Sequence, residues 1–255
     1  MTDASTVRLV QFTDPHLYGD PQQQMRGVAT LATLEAVVAA AAPALATADA
    51  IVLSGDLVHD DINGYRHFPT IFGTQKAALL AIPGNHDDAR ALAGALAPRG
   101  FRTAGHIDRG GWRIVLCDSS VPGSAGGELG DRGLDALEGA LADAGERHVL
   151  VILHHHPVPM HSAWLDGIGL QDSPAFLERL RRHGRVRGVL FGHVHQAHDS
   201  CVDGLRFLGT PSTCVQFKPR CDDFALDSLP PAWRELELLP DGRIATRLGW
   251  LSVAR

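Results

Sequence analysis

Short apolar runs recur along this chain, and most stop abruptly at a polar cluster. VRLVQF (7–12) runs into TDPH; DAIVLSGD (49–56), ALLAIPGNHD (78–87), HVLVILHHHP (148–157) and VRGVLFGHVH (186–195) each pass from apolar to polar within their own length. WRIVLCDS (112–119) is a sixth run. Segments this short, apolar and poor in alternation read as strands of a sheet covered on both faces. Helix-like stretches separate them: GVATLATLEAVVAAAAP (27–43), closed by Pro43; GDRGLDALEGALADAG (130–145); and SPAFLERLRRHG (173–184), with Ser173 as N-cap and Pro174 at the first helical position. Strand and helix in alternation imply βαβ units and an α/β fold.

The tail changes character. VDGLRFLGTPST (202–213) and WRELELLPDGRIATRLGWL (233–251) each carry an Asp-Gly pair between strand-like runs, a hairpin signal. The expectation is a single domain over residues 1–255, with 200–255 forming a hairpin-rich part of a second, partly antiparallel sheet.

Composition excludes several function classes. The formal net charge is -6, from 23 basic against 29 acidic side chains, which speaks against a non-specific nucleic-acid binder. No run approaches the length of a membrane span, and the start MTDASTVRLVQF lacks the charged and apolar regions of a secretory signal. The expectation is a cytoplasmic protein without a membrane partner. Cys117, Cys201, Cys214 and Cys221 share no zinc-like spacing and read as reduced structural thiols. Oligomeric state is not legible.

The chemistry sits where the runs end. Open α/β folds place ligands at the carboxyl ends of their strands. Here those ends supply Asp14 and His16, Asp56, Asn85 and His86, the histidines of HHHP, and His193 and His195. Carboxylate, carboxamide and imidazole suit manganese, iron, zinc or cobalt better than thiolate-loving metals. In an extended segment, residues two apart point the same way, so Asp14 with His16, and His193 with His195, can each face one point.

Taken in order, D-x-H, GD, GNHD, H-x-P and GHxH resemble the calcineurin-like metallophosphoesterases. SAWLD (162–166), GHVHQ (192–196) and STCVQFKP (212–219) are similar to stretches of the bacterial class III 3′,5′-cyclic-AMP phosphodiesterases. The resemblance implies a four-layer αββα sandwich, two facing mixed sheets flanked by helices, with two metal ions, iron or manganese. By position, Asp14, His16 and His195 would hold the first ion, Asn85, His155 and His193 the second, and Asp56 would bridge them. His155 is the histidine two before the proline; with extended backbone, His154 and His156 are expected to face the other side.

The implied reaction is hydrolysis of 3′,5′-cyclic AMP to 5′-AMP by in-line attack of a metal-bridging hydroxide. The resemblance implies Asp56, Asn85 and His86 as the catalytic set. It also implies that His16, Asn85, His86 and His195 lie near the substrate, with His86 stabilising phosphate or protonating the departing 3′-oxygen. Relatives orient this histidine with an aspartate three residues after the GD aspartate. That position is His59 here, leaving Asp60 or Asp87 as the substitute. Trp164, Phe217 and Lys218 are the candidates for contact with the base, and the other histidines, His59 included, are expected to be uninvolved. The competing readings are a phosphodiesterase for glycerophosphodiesters or 2′,3′-cyclic nucleotides, and a non-catalytic scaffold.

Overall fold

Strand β1 (Val7–Phe12) shows how the layers arise. Its side chains alternate, so Val7 and Leu9 enter one apolar cluster while Val10 and Phe12 enter another on the opposite face. The structure, a computed structural model, describes residues 5–252. β1 is followed by β2 (Ala50–Ser54), β3 (Ala78–Ile82), β4 (Phe101–Arg102), β5 (Gly105–Arg109), β6 (Trp112–Leu116), β7 (His148–Ile152), β8 (Val186–Phe191), β9 (His198–Val202), β10 (Leu205–Gly209), β11 (Ala232–Leu238) and β12 (Ile244–Trp250). They form two six-stranded sheets, ordered β12-β11-β1-β2-β3-β4 and β9-β10-β8-β7-β6-β5.

The clusters define four layers. Leu9, Val52 and Ile82 of the first sheet meet Ile114, Leu150 and Leu190 of the second in the central core. On the first sheet's outer face, Phe12, Ile51 and Leu53 pack with Leu34 and Val37 of the helix Thr30–Ala40 and with Leu92 of the helix Ala89–Leu96. On the second sheet's outer face, Val151 and Val189 pack with Leu137 of the helix Gly130–Ala142 and Phe176 of the helix Ser173–Arg182. Each buried Val, Leu, Ile or Phe contributes about 1.5–3 kcal/mol. The expected αββα sandwich is therefore present.

Three local expectations are corrected. The hairpin β11–β12 does not join the second sheet: β11 pairs antiparallel with β1, Leu236 opposite Leu9, in the first. Only β9 and β10 extend the second sheet. Ser173 is not the N-cap; Asp172 holds that place without a side-chain capping bond, and its carboxylate instead accepts from the amides of Leu129 and Gly130. Pro43 lies in the first turn of a second short helix, Ala42–Leu45, and so starts that turn.

A buried clasp ties the sheets together beneath the strand ends. Arg234 of β11 donates to Thr210 Oγ1 (2.9 Å), Thr246 Oγ1 (3.1 Å) and the carbonyls of Gly209 (2.8 Å) and His198 (3.2 Å). Thr210 in turn donates to Gln11, whose amide reaches Ser54 Oγ at 2.7 Å. Among the described residues, no helix is long and apolar enough to cross a membrane.

Candidate metal centre

Every candidate ligand lies just past a strand: Asp14 and His16 after β1, Asp56 after β2, Asn85 and His86 after β3, His154 to His156 after β7, His193 and His195 after β8. Parallel pairing of β1 with β2 and β2 with β3, and of β7 with β8, brings these ends together.

Strand alternation is not what aims the side chains. Asp14, His16, Asp56, His193 and His195 all have positive φ, from 47° to 67°, so the backbone curls at the ligands and is not extended. A left-handed residue bearing a Cβ costs roughly 1–2 kcal/mol, and such residues gather where a site holds them in place. Here the loops are locked by Asp14 N donating to Gly55 O and His16 N to Asp56 O, both 3.0 Å. Glycine permits the approach: a Cβ on Gly192 would lie 2.1 Å from Thr13 Oγ1 and one on Gly84 2.2 Å from Asp56 Oδ1.

The first group is buried and crowded with lone pairs. His195 Nδ1 donates to Val215 O at 2.7 Å, which orients the ring with Nε2 toward the group. That nitrogen stands 3.3 Å from Asp14 Oδ1 and 3.2 Å from His16 Nε2. Acceptors at such distances repel unless a proton or a metal cation sits among them, and these three residues present ligand atoms within 4.8 Å of one another. Asp56 Oδ2 lies 3.8 Å from His16 Nε2 on the adjoining side.

The second group is marked by atoms without partners. Asn85 Oδ1, His155 Nε2 and His193 Nε2 are buried with no hydrogen bond. Leaving a buried polar atom unsatisfied costs about 1–3 kcal/mol each. His155 is held from behind by Ser119 Oγ, 2.8 Å from its Nδ1. Burial keeps His16, His155 and His193 well below the usual imidazole range, helped in each case by neighbouring histidines. All three are therefore neutral rings with lone pairs to give. The donor set fits hard-to-intermediate cations.

HHHP behaves differently from the expectation that its outer histidines face away. His154 Nδ1 donates to Ser54 O at 2.8 Å, and Nε2 lies 3.4 Å from Asp56 Oδ1 and 3.9 Å from Asp14 Oδ1. It can join ligand groups with Asp14 and Asp56, or with His155 and His193. Burial opposes its protonation, but those two carboxylates outweigh burial and push it up to about 9. Burial likewise opposes ionisation of Asp56, yet His154, His16 and His86 hold it well below the usual carboxylate range. His156 is also buried, 3.7 Å from Asp166 Oδ1 and against the ring of His193.

The partner of His86 is Asp60: Nδ1 and Oδ1 are 3.2 Å apart. Asp87 is turned elsewhere, accepting from the amides of Gly84, Leu57 and Val58 and from Tyr65 Oη, and so braces the Asp56 loop. His59 is not the bystander expected. It stacks on His86 at 4.3 Å and its Nδ1 is 3.1 Å from His16 Nδ1. Its place three residues after Asp56 was the available signal.

These groups open into a cavity of about 190 Å³ lined also by Met25, Arg26, Trp164, Phe217 and Phe224. Phe217 lies flat on His195 at 3.9 Å and so supports that ring, while Lys218 is not among the lining residues. Arg26 and Phe224 carried no sequence signal, because only tertiary folding brings their loops to the site.

Residues 7–197 match the model of the calcineurin-like phosphoesterase family, and the chain belongs to that family. The 3′,5′-cyclic adenosine monophosphate phosphodiesterase CpdA of Escherichia coli K12 is 41% identical over 251 residues, covering 98% of this chain and 91% of the relative. CpdA of Pseudomonas aeruginosa is 41% identical over 246 residues, covering 96% and 90%. A dimetal phosphatase from Danio rerio shares the fold with a TM-score of 0.68 at 12% identity, covering 96% of this chain and 99% of that one.

Proposed function

We propose that this chain is a binuclear-metal phosphodiesterase that hydrolyses 3′,5′-cyclic AMP to 5′-AMP. One observation supports the reading: buried atoms of Asn85, His155 and His193 lack hydrogen-bond partners, and Asn85 and His193 line the same pocket as His16, Asp56 and His195. Relatives named as cyclic-AMP phosphodiesterases, matched over nearly the whole chain, supply the substrate.

In this reading Asp14, His16 and His195 would hold one ion, Asn85, His155 and His193 the other, and Asp56 would be shared by both. Iron or manganese is the proposed pair. Two such ions supply positive charge for the phosphate oxygens and acidity for a water nucleophile. The chain's own residues do the rest. Two carboxylates, Asp14 and Asp56, leave the pair net positive, which suits a monoanionic diester. His154 holds Asp56 from the side away from solvent, and the His86 amide donates to Asp56 Oδ1 at 2.9 Å. The His86 ring faces the cavity and protonates the departing 3′-oxygen.

The test is a comparison of kcat/KM for cyclic AMP, cyclic GMP, 2′,3′-cyclic AMP and a glycerophosphodiester. Cyclic AMP is expected to be the fastest; a rank below any other substrate overturns the assignment.

A further inference from the structure

Two hairpin tips meet over the mouth of the cavity. One is the pair Gln24–Met25 and Val28–Ala29, whose turn residues Arg26 and Gly27 have φ of 50° and 83°, as a type I′ turn requires. Arginine is a poor choice for a left-handed turn position, where Asn, Asp or Gly is favoured. The other is the pair Gln216–Phe217 and Leu226–Asp227, whose loop carries Phe224. The Arg26 guanidinium lies 4.5 Å over the Phe224 ring.

Beneath that contact, Trp164, Phe217 and Phe224 pack edge to face at 5.2–5.3 Å. Phe224 is nevertheless 40% exposed, an unusual place for a large aromatic. The indole Nε1 of Trp164 is buried without any partner, in a residue that lines the cavity. The wall thus combines apolar ring surface with a cation. It is continuous with the metal centre, through the ring of Phe217 stacked on His195.

Resting on the cyclic-nucleotide reading above, we infer that this wall is the nucleobase subsite: the base packs against the rings of Phe224 and Trp164, beside Arg26, whose guanidinium is a donor matched to the purine's acceptor nitrogens. Arg26 and Phe224 are then specificity-determining residues, and they act on binding of the base rather than on the diester.

The experiment compares cyclic AMP with the same cyclic phosphodiester built on 1-deoxyribose, which lacks adenine. For the metal-loaded wild type, kcat/KM for cyclic AMP is expected to exceed that for the base-free diester. In Phe224→Ala and Arg26→Ala the ratio of the two is expected to fall, about tenfold for the aromatic truncation and by a smaller factor for the arginine, through KM for cyclic AMP. Phe224 and Arg26 are exposed, so both variants are expected to fold. A ratio that stays within twofold of wild type in both exposed variants overturns the inference. A wild type without preference between the two diesters likewise overturns the inference, whereas one that hydrolyses neither refutes the cyclic-AMP reading itself, a distinct outcome.

Discussion

His86 Nδ1 and Asp60 Oδ1 lie 3.2 Å apart, and the Asp60 amide in turn donates to His86 O at 3.2 Å. Asp60 itself has a φ of 57°, a strained conformation that this double contact maintains. The pair fixes the ring that is proposed to protonate the leaving oxygen. His86→Ala is expected to lower kcat about a hundredfold, and Asp60→Asn by roughly tenfold with little change in KM. Steady-state kinetics on cyclic AMP decide it. Loss in KM alone would assign the pair to substrate affinity.

Arg234 is a buried cation whose partners are hydroxyls and carbonyls, and burial pushes its guanidinium down to about 10. Truncation strands those acceptors between the two sheets. Arg234→Ala is expected to reduce unfolding free energy by about 2–3 kcal/mol, measured by urea denaturation. A loss below about 0.5 kcal/mol would show that the clasp is not structural.

Asp108 makes a two-point bond to Arg113, at 2.8 and 2.9 Å, and that arginine holds its carboxyl below the usual range. The lowered value means that stabilisation is fully present above the ordinary pKa near 3.8 and is lost as pH falls through the folded value. Asp108→Asn should therefore cost about 1 kcal/mol at pH 7 and progressively less below pH 4. A penalty that does not change with pH would point to packing instead of charge.

The cysteines divide by environment. Burial pushes the Cys117 and Cys214 thiols up to about 12, whereas Cys201 is exposed. At pH 8 a disulfide reagent should label Cys201 in the folded protein and reach Cys117 and Cys214 only on unfolding. Rapid labelling of all four would contradict the burial described here.

Much of this was legible in residue order, and for a physical reason. Parallel strands buried on both faces must be apolar, so a polar cluster at a strand end such as Asp14–His16 or His193–His195 stands out. Pairing is another matter. Nothing local says that β11 lies against β1, because that contact joins residues more than two hundred positions apart. The direction of His154 was misjudged because alternation assumes extended backbone, and the chain leaves the strand before the histidines begin. Arg26 and Phe224 were invisible, since hairpin tips meet only once both sheets are in place.

The count of metal ions per chain tests the central claim most directly. Elemental analysis of purified, active protein is predicted to give two per chain, with activity lost on chelation and restored by manganese or iron. Asn85→Ala, still folded by circular dichroism, is predicted to retain about one ion and to lose most of its turnover. A fully active enzyme carrying one ion or none would contradict the account.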